Sequence, residues 1–141
     1  MHPHLAEMIE KLKDDNRIDR ISIITNATIM LNEKLLSVLE NEKRTWVRIS
    51  DYGALSSKSE DIKKVLEDRK IKYEIANYTY WDAPSQIGFT AEDEETLKRK
   101  FEECTACNVI FLLNRKLYLC STGSAVNNIG AFPLSESNYV D

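Results

Sequence analysis

The chain is poor in features that would assign it quickly. It has no apolar run near the roughly 20 residues that a membrane span needs. Its start, Met1-His-Pro-His-Leu-Ala-Glu7, has neither a basic patch nor an apolar h-region, so no secretory signal is read there. Four Gly and three Pro in 141 residues exclude collagen-like and low-complexity chains. Basic charge is not in excess: 23 acids against 19 bases leave a net −4, so nucleic acid is not expected as the main partner. What remains is an ordinary globular composition, 43% hydrophobic and 30% charged. A chain of this length buries about two-thirds of its unfolded surface, enough for one domain with a small appendage.

No internal repeat and no low-complexity linker interrupts the chain. Leu5, Met8, Ile9 and Leu12 follow i, i+3, i+4, i+7 spacing, which predicts a first helix, with Pro3 near its start and Asp14-Asp15-Asn16 after it. Residues 20–25 are rich in β-branched side chains with almost no polar face, as in a strand covered on both sides. Asn32 can cap a second helix carrying Leu35, Leu36, Val38 and Leu39. Residues 46–50 predict a second strand. Ser57 with Glu60 forms a capping-box pattern for a third helix that turns Ile62, Val65 and Leu66 inward. Residues 71–81 predict a longer third strand, with Tyr73, Ile75, Asn77, Thr79 and Trp81 on one face. Alternating helices and strands with short connections favour βαβ units and a parallel sheet, so the fold class is α/β. Functional residues then belong at the carboxyl ends of the strands: Thr25 and Asn26, Ser50 and Asp51, and residues 77–81.

Beyond residue 81 the character changes, and we place a boundary there: 1–81 and 82–141. Residues 82–86 form a loop. Thr90 is the expected cap of a charged helix over 92–103, acids first and bases later, whose exposed side is a solvated face. Residues 109–113 and 116–120 read as a hairpin turning at Asn114-Arg115. From Ser121 onward the chain reads as irregular.

Three cysteines gather in this last third: Cys104, Cys107 and Cys120. A CxxC turn brings two thiolates to one metal, and the hairpin returns a third. A thioredoxin-like pair would need the CxxC at a helix N-terminus, whereas here it follows a helix. A zinc knuckle wants a fourth ligand, and none lies nearby; His2 and His4 are a hundred residues away and read as exposed terminal residues. A [4Fe–4S] cluster held by three thiolates remains, beside the plain alternative of three small buried side chains. With no secretory signal read, the expectation is a reducing compartment, the cytoplasm, where a close cysteine cluster more often means metal or redox chemistry than a disulfide.

Taken in order, these pieces resemble the later half of a radical S-adenosylmethionine domain with a SPASM- or twitch-like extension. Ile21-Ser-Ile-Ile-Thr-Asn-Ala-Thr28 is similar to the family's strand ending in Thr-Asn-Gly, and Val47-Arg-Ile-Ser-Asp-Tyr-Gly53 to its Ile-Ser-x-Asp-Gly strand end. The opening Met1-His-Pro-His resembles the link after the family's Gly-Gly-Glu-Pro strand. Cys104-x2-Cys107-Asn108 with Cys120 resembles the auxiliary-cluster segment, and also the three-cysteine segment of the cyclase that starts molybdenum-cofactor synthesis. The resemblance implies a partial (βα) barrel fragment with three parallel strands, plus a small cysteine-bearing β-hairpin extension. It implies an auxiliary [4Fe–4S] cluster on Cys104, Cys107 and Cys120. It also implies an S-adenosylmethionine site to which Thr25, Asn26, Ser50 and Asp51 contribute.

The family's CxxxCxxC loop and its Gly-Gly-Glu-Pro segment are absent. The expectation is therefore a C-terminal piece of a radical enzyme, inactive alone, whose parent cleaves S-adenosylmethionine to a 5′-deoxyadenosyl radical. The substrate, peptide or small molecule, is unread. No nucleic-acid or membrane partner is expected. The strand over 21–25 would be left as an apolar edge that pairs with the missing N-terminal half or with a second copy. Thr25, Asn26, Ser50 and Asp51 carry a second reading as turn-closing residues. Tyr78, Tyr80 and Trp81 are expected to pack a domain junction. The alternative of a different class is a non-catalytic α/β binding module with a zinc knuckle.

Overall fold

The computed structural model describes residues 2–79, 91–104, 109–131 and 139–140. The chain divides into two compact units, residues 1–82 and 83–141.

The first unit is α1 (Leu5–Leu12), β1 (Ile21–Thr25), α2 (Glu33–Asn41), β2 (Thr45–Asp51), a 3-10 turn (Gly53–Leu55), α3 (Ser59–Asp68) and β3 (Tyr73–Asn77). Its sheet is parallel throughout in the order β1-β2-β3, with Ile23 opposite Val47 and Ile49 opposite Ile75. Ile21, Ile23, Val47 and Ile49 point into one core with Ile9 of α1, Leu35, Leu36 and Leu39 of α2, and Ile62 and Leu66 of α3. All three helices therefore lie on one face of the sheet. The unit is mixed α/β with a three-stranded parallel sheet, as the alternating pattern implies; among the described residues no closed barrel is formed.

Asn32 caps α2 as expected, its Oδ1 accepting from the Leu35 amide at 2.9 Å. Thr45, buried at the start of β2, donates its hydroxyl to the Leu39 carbonyl at 3.1 Å and approaches that of Glu42, which ties the end of α2 to the sheet. Arg44 organises the connection before β1. Its guanidinium donates to the carbonyls of Leu12, Lys13, Asp15 and Ile18 and forks onto the Glu42 carboxylate. That fork holds the Glu42 carboxyl well below the usual range, at about 2.

Several expectations for this unit are corrected. The capping box of Ser57 and Glu60 does not form: α3 starts at Ser59 behind Lys58, with no side-chain cap. The 3-10 turn shifts the helix start, and the hydroxyl that matters is that of Ser56. The third strand is shorter than 71–81, ending at Asn77; Tyr80 and Trp81 lie outside the described residues. β1 is covered on one side only, because Ser22 and Ile24 face away from the helices and are exposed. In α1 the inward residues are Ala6 and Ile9, with Leu5 partly buried, while Met8 and Leu12 are exposed.

The second unit contains α4 (Glu94–Glu102), β4 (Phe111–Leu113), β5 (Lys116–Tyr118), α5 (Ser121–Asn128) and β6 (Tyr139–Val140). α4 is capped by Asp93, whose Oδ1 accepts from the Thr96 amide at 2.8 Å; Thr90 lies outside the described residues. The hairpin is antiparallel and turns as expected at Asn114 and Arg115, both with positive φ (51° and 68°), the geometry of a I′ turn, but its strands are shorter than 109–113 and 116–120. The irregular reading after Ser121 is overturned by α5. That helix ends on Gly130 at φ 69°, with the amides of Gly130 and Ala131 returning to the Asn127 and Val126 carbonyls. β6 adds to β5 and makes a three-stranded antiparallel sheet in the order β4-β5-β6.

Candidate functional site

The carboxyl ends of β1, β2 and β3 gather the residues singled out in the first unit. Thr25 Oγ1 accepts from the Ala27 amide at 3.2 Å. Asn26 Oδ1 accepts from the Thr28 hydroxyl at 3.0 Å. Next in the chain, Ala27 is fully buried in the left-handed region at φ 55°. Asp51 Oδ1 accepts from the Gly53 amide at 2.8 Å, and Oδ2 from the Ser59 hydroxyl at 3.1 Å. Gly53 has φ 64°, the conformation in which a Cβ is costly. Ser50 is buried under the turn. These contacts are the turn-closing role that Asn, Asp and Thr take after strands. A carboxylate or hydroxyl so engaged retains further acceptor positions, so a ligand contact is compatible with them.

Sequence reasoning missed the residue that binds these loops together. Ser56 Oγ accepts from the Tyr52 amide at 2.9 Å and donates to the Asn26 carbonyl at 2.8 Å, with the Ser50 carbonyl at 3.3 Å. Next to it the Lys58 amide donates to the Ala27 carbonyl at 2.8 Å, and the Tyr78 amide to that of Asp51 at 2.8 Å. The tie that Ser56 makes to β1 is not announced by a local pattern, because the Asn26 carbonyl it donates to lies 30 positions away.

Two clefts open along this edge. One, of about 310 Å³, lies at the end of β1 and is lined by His2, Leu5, Ile24, Thr25, Asn26 and Ile29, among others. The other, of about 450 Å³, is lined by Asp51, Tyr52, Gly53, Asn77, Tyr78 and Thr79. Both volumes fall in the range of small-molecule sites. Tyr52 and Tyr78 stack with centroids 5.4 Å apart, and the Tyr78 hydroxyl accepts from Arg48 at 3.2 Å. On the sheet face away from the helices, Arg48 also pairs with Glu74 at 3.4 Å, and Arg20 lies over the Trp46 ring at 4.3 Å.

In the second unit Cys104 and Cys120 are free and exposed; Cys107 lies outside the described residues. Cys120 occupies the N-cap of α5, its sulfur accepting from the Gly123 amide at 3.4 Å. An exposed thiol that accepts an amide hydrogen bond suits a thiolate ligand of a metal or cluster. Among the described residues no three His, Cys, Asp or Glu side chains are gathered as a metal site. Also among them, no helix is long and apolar enough to cross a membrane.

Comparison with protein families, with curated proteins and with solved structures finds no match to this chain.

Proposed function

We propose that this chain is the later part of a radical S-adenosylmethionine enzyme, a barrel fragment acting in the reducing cytoplasm on a peptide or small-molecule substrate. In this reading the carboxyl ends of β1 and β2 contribute Thr25, Asn26, Ser50 and Asp51 to the cofactor pocket, and Cys104, Cys107 and Cys120 hold an auxiliary [4Fe–4S] cluster. The observation that carries it is the one-sided succession of strands. Doubly wound sheets place helices on both faces and reverse their strand order at the binding crevice. Here β1, β2 and β3 follow in order with α1, α2 and α3 on one side, which is how a stretch of barrel wall is built.

Two further features support it. Ala27 stands where the resembled strand end has glycine, and it adopts the positive φ that glycine favours. The second unit has little core of its own: Tyr118 and Val126 are its buried apolar side chains among the described residues. Small units with so little burial are commonly held by a metal or cluster. In the parent enzyme the radical-generating cluster and S-adenosylmethionine supply the hydrogen-abstracting species. The residues of this chain bind, orient and shield.

The test is anaerobic reconstitution with ferrous iron and sulfide. A brown product absorbing near ~400 nm, with about four irons per chain, is expected. Cys104→Ser, Cys107→Ser and Cys120→Ser should each lower the iron content. Colourless protein with one zinc per chain would favour the binding-module alternative. Folded, metal-free protein after reconstitution would refute both.

A further inference from the structure

The amino ends of β2 and β3, opposite the candidate site, border a separate cleft of about 420 Å³. Leu39 and Ile71, both buried, supply its apolar side. Four cations and two carboxylates line it as well: Lys43, Arg69, Lys70 and Lys72 against Glu40 and Glu42. Both carboxylates are already held by arginines. Glu42 takes the fork of Arg44, and Glu40 lies 3.8 Å from Arg69, which also pairs with Glu33. The three lysines are left over. Among the described residues none of them is paired with a carboxylate; the lysines that are paired lie elsewhere. Lys72 instead donates its ammonium to the Lys43 carbonyl at 2.9 Å, which brings those two residues together. In a chain of net −4, three uncompensated positive charges at one cleft make a local field that favours an anion.

Lys70 supplies a second observation. It follows α3 at φ 56°, a conformation that glycine takes freely and that costs a lysine stability. Such outliers cluster at active sites and ligand clamps. We propose that this cleft binds a small phosphorylated molecule, with Lys43, Lys70 and Lys72 around its di- or triphosphate group. Lysines meet phosphate as point charges, and three of them match a diphosphate better than a single carboxylate. One bounded cleft, without a basic stripe running on from it, suits a small molecule and not a nucleic-acid backbone. The site uses the end of the sheet opposite Thr25, Asn26, Ser50 and Asp51, and it needs no metal.

Titration of the full chain with inorganic diphosphate, before any iron is added, tests this by calorimetry and by amide chemical shifts. Saturable binding at one site per chain is expected, with shift changes gathered at residues 39–45 and 69–73. Lys43→Gln, Lys70→Gln and Lys72→Gln should each weaken binding roughly five- to tenfold. Lys70→Gly should weaken it too, although it relieves the backbone and stabilises the fold, a split that a merely structural lysine would not produce. Lys11→Gln, on α1 and outside the cleft, should bind as wild type does. Absence of saturable binding, shifts centred elsewhere, unchanged affinity in the three cleft variants, or an equal loss in Lys11→Gln overturns the proposal.

Discussion

Replacing Ser56 with Ala tests whether the loops at the carboxyl edge are held as one structure. The Ser56 hydroxyl is buried between two backbone partners, the Tyr52 amide at 2.9 Å and the Asn26 carbonyl at 2.8 Å. Alanine fits the space but leaves both groups without that partner, where water has little access. Each buried polar group left unpaired costs about 1–3 kcal/mol. The Lys58–Ala27 backbone bond beside it survives the change, so the loops stay near each other and part of the loss is recovered. We expect a net loss of about 2 kcal/mol for the first unit. In a cooperative unit of this size that lowers the melting temperature by roughly 10 °C. Amide exchange is the sharper assay. Protection at Tyr52 should fall roughly 30-fold, the equivalent of about 2 kcal/mol. Ser56→Thr, which keeps the hydroxyl, should restore part of that protection. Unchanged exchange at Tyr52, with stability within about 0.5 kcal/mol of wild type, would refute the reasoning.

Three other outcomes follow from the first unit. The Glu42 carboxyl is held at about 2 when folded and titrates near 4.5 when unfolded. Its stabilisation is therefore complete above about pH 4.5 and disappears as pH falls toward 2. Urea denaturation should show wild type and Glu42→Gln converging across that window. Lys70 adopts φ 56° just after α3, with its amide and that of Ile71 returning to the Glu67 and Leu66 carbonyls. Lys70→Gly should relieve that conformation and raise stability by about 0.5–1 kcal/mol, measured as a higher denaturation midpoint. Leu66 is fully buried in the core, and Leu66→Ala should cost about 2–5 kcal/mol by the same measurement.

Legibility along the chain followed how local each determinant is. The α2 cap at Asn32 and the I′ turn at Asn114-Arg115 depend on residues within four positions of one another, and both were readable. The parallel order of three strands was readable because short βαβ connections leave few alternatives. The start of α3 was misread because Ser57 and Glu60 match the capping-box pattern, whereas a 3-10 turn over Gly53–Leu55 precedes the helix and Lys58 takes its N-cap position. α5 was missed because Ser-Thr-Gly-Ser is weak in helix propensity and its cap is a cysteine. β1 was read as doubly covered because an apolar strand at an open edge looks like one in the middle of a sheet. Thr25 and Asp51 are the last residues of β1 and β2. Their engagement in turns is a matter of side-chain geometry, which residue type alone leaves open.

The grip of Arg44 on the segment between α1 and β1 has an evolutionary consequence. Its guanidinium meets carbonyl oxygens of Leu12, Lys13, Asp15 and Ile18. Every amino acid supplies a carbonyl, so the side chains of that segment can drift widely under mutation while the path of the chain is preserved. Its length has no such latitude. An insertion or deletion would carry the carbonyls out of reach of one fixed, planar cation, and related chains should therefore vary here in composition while keeping the same count of residues.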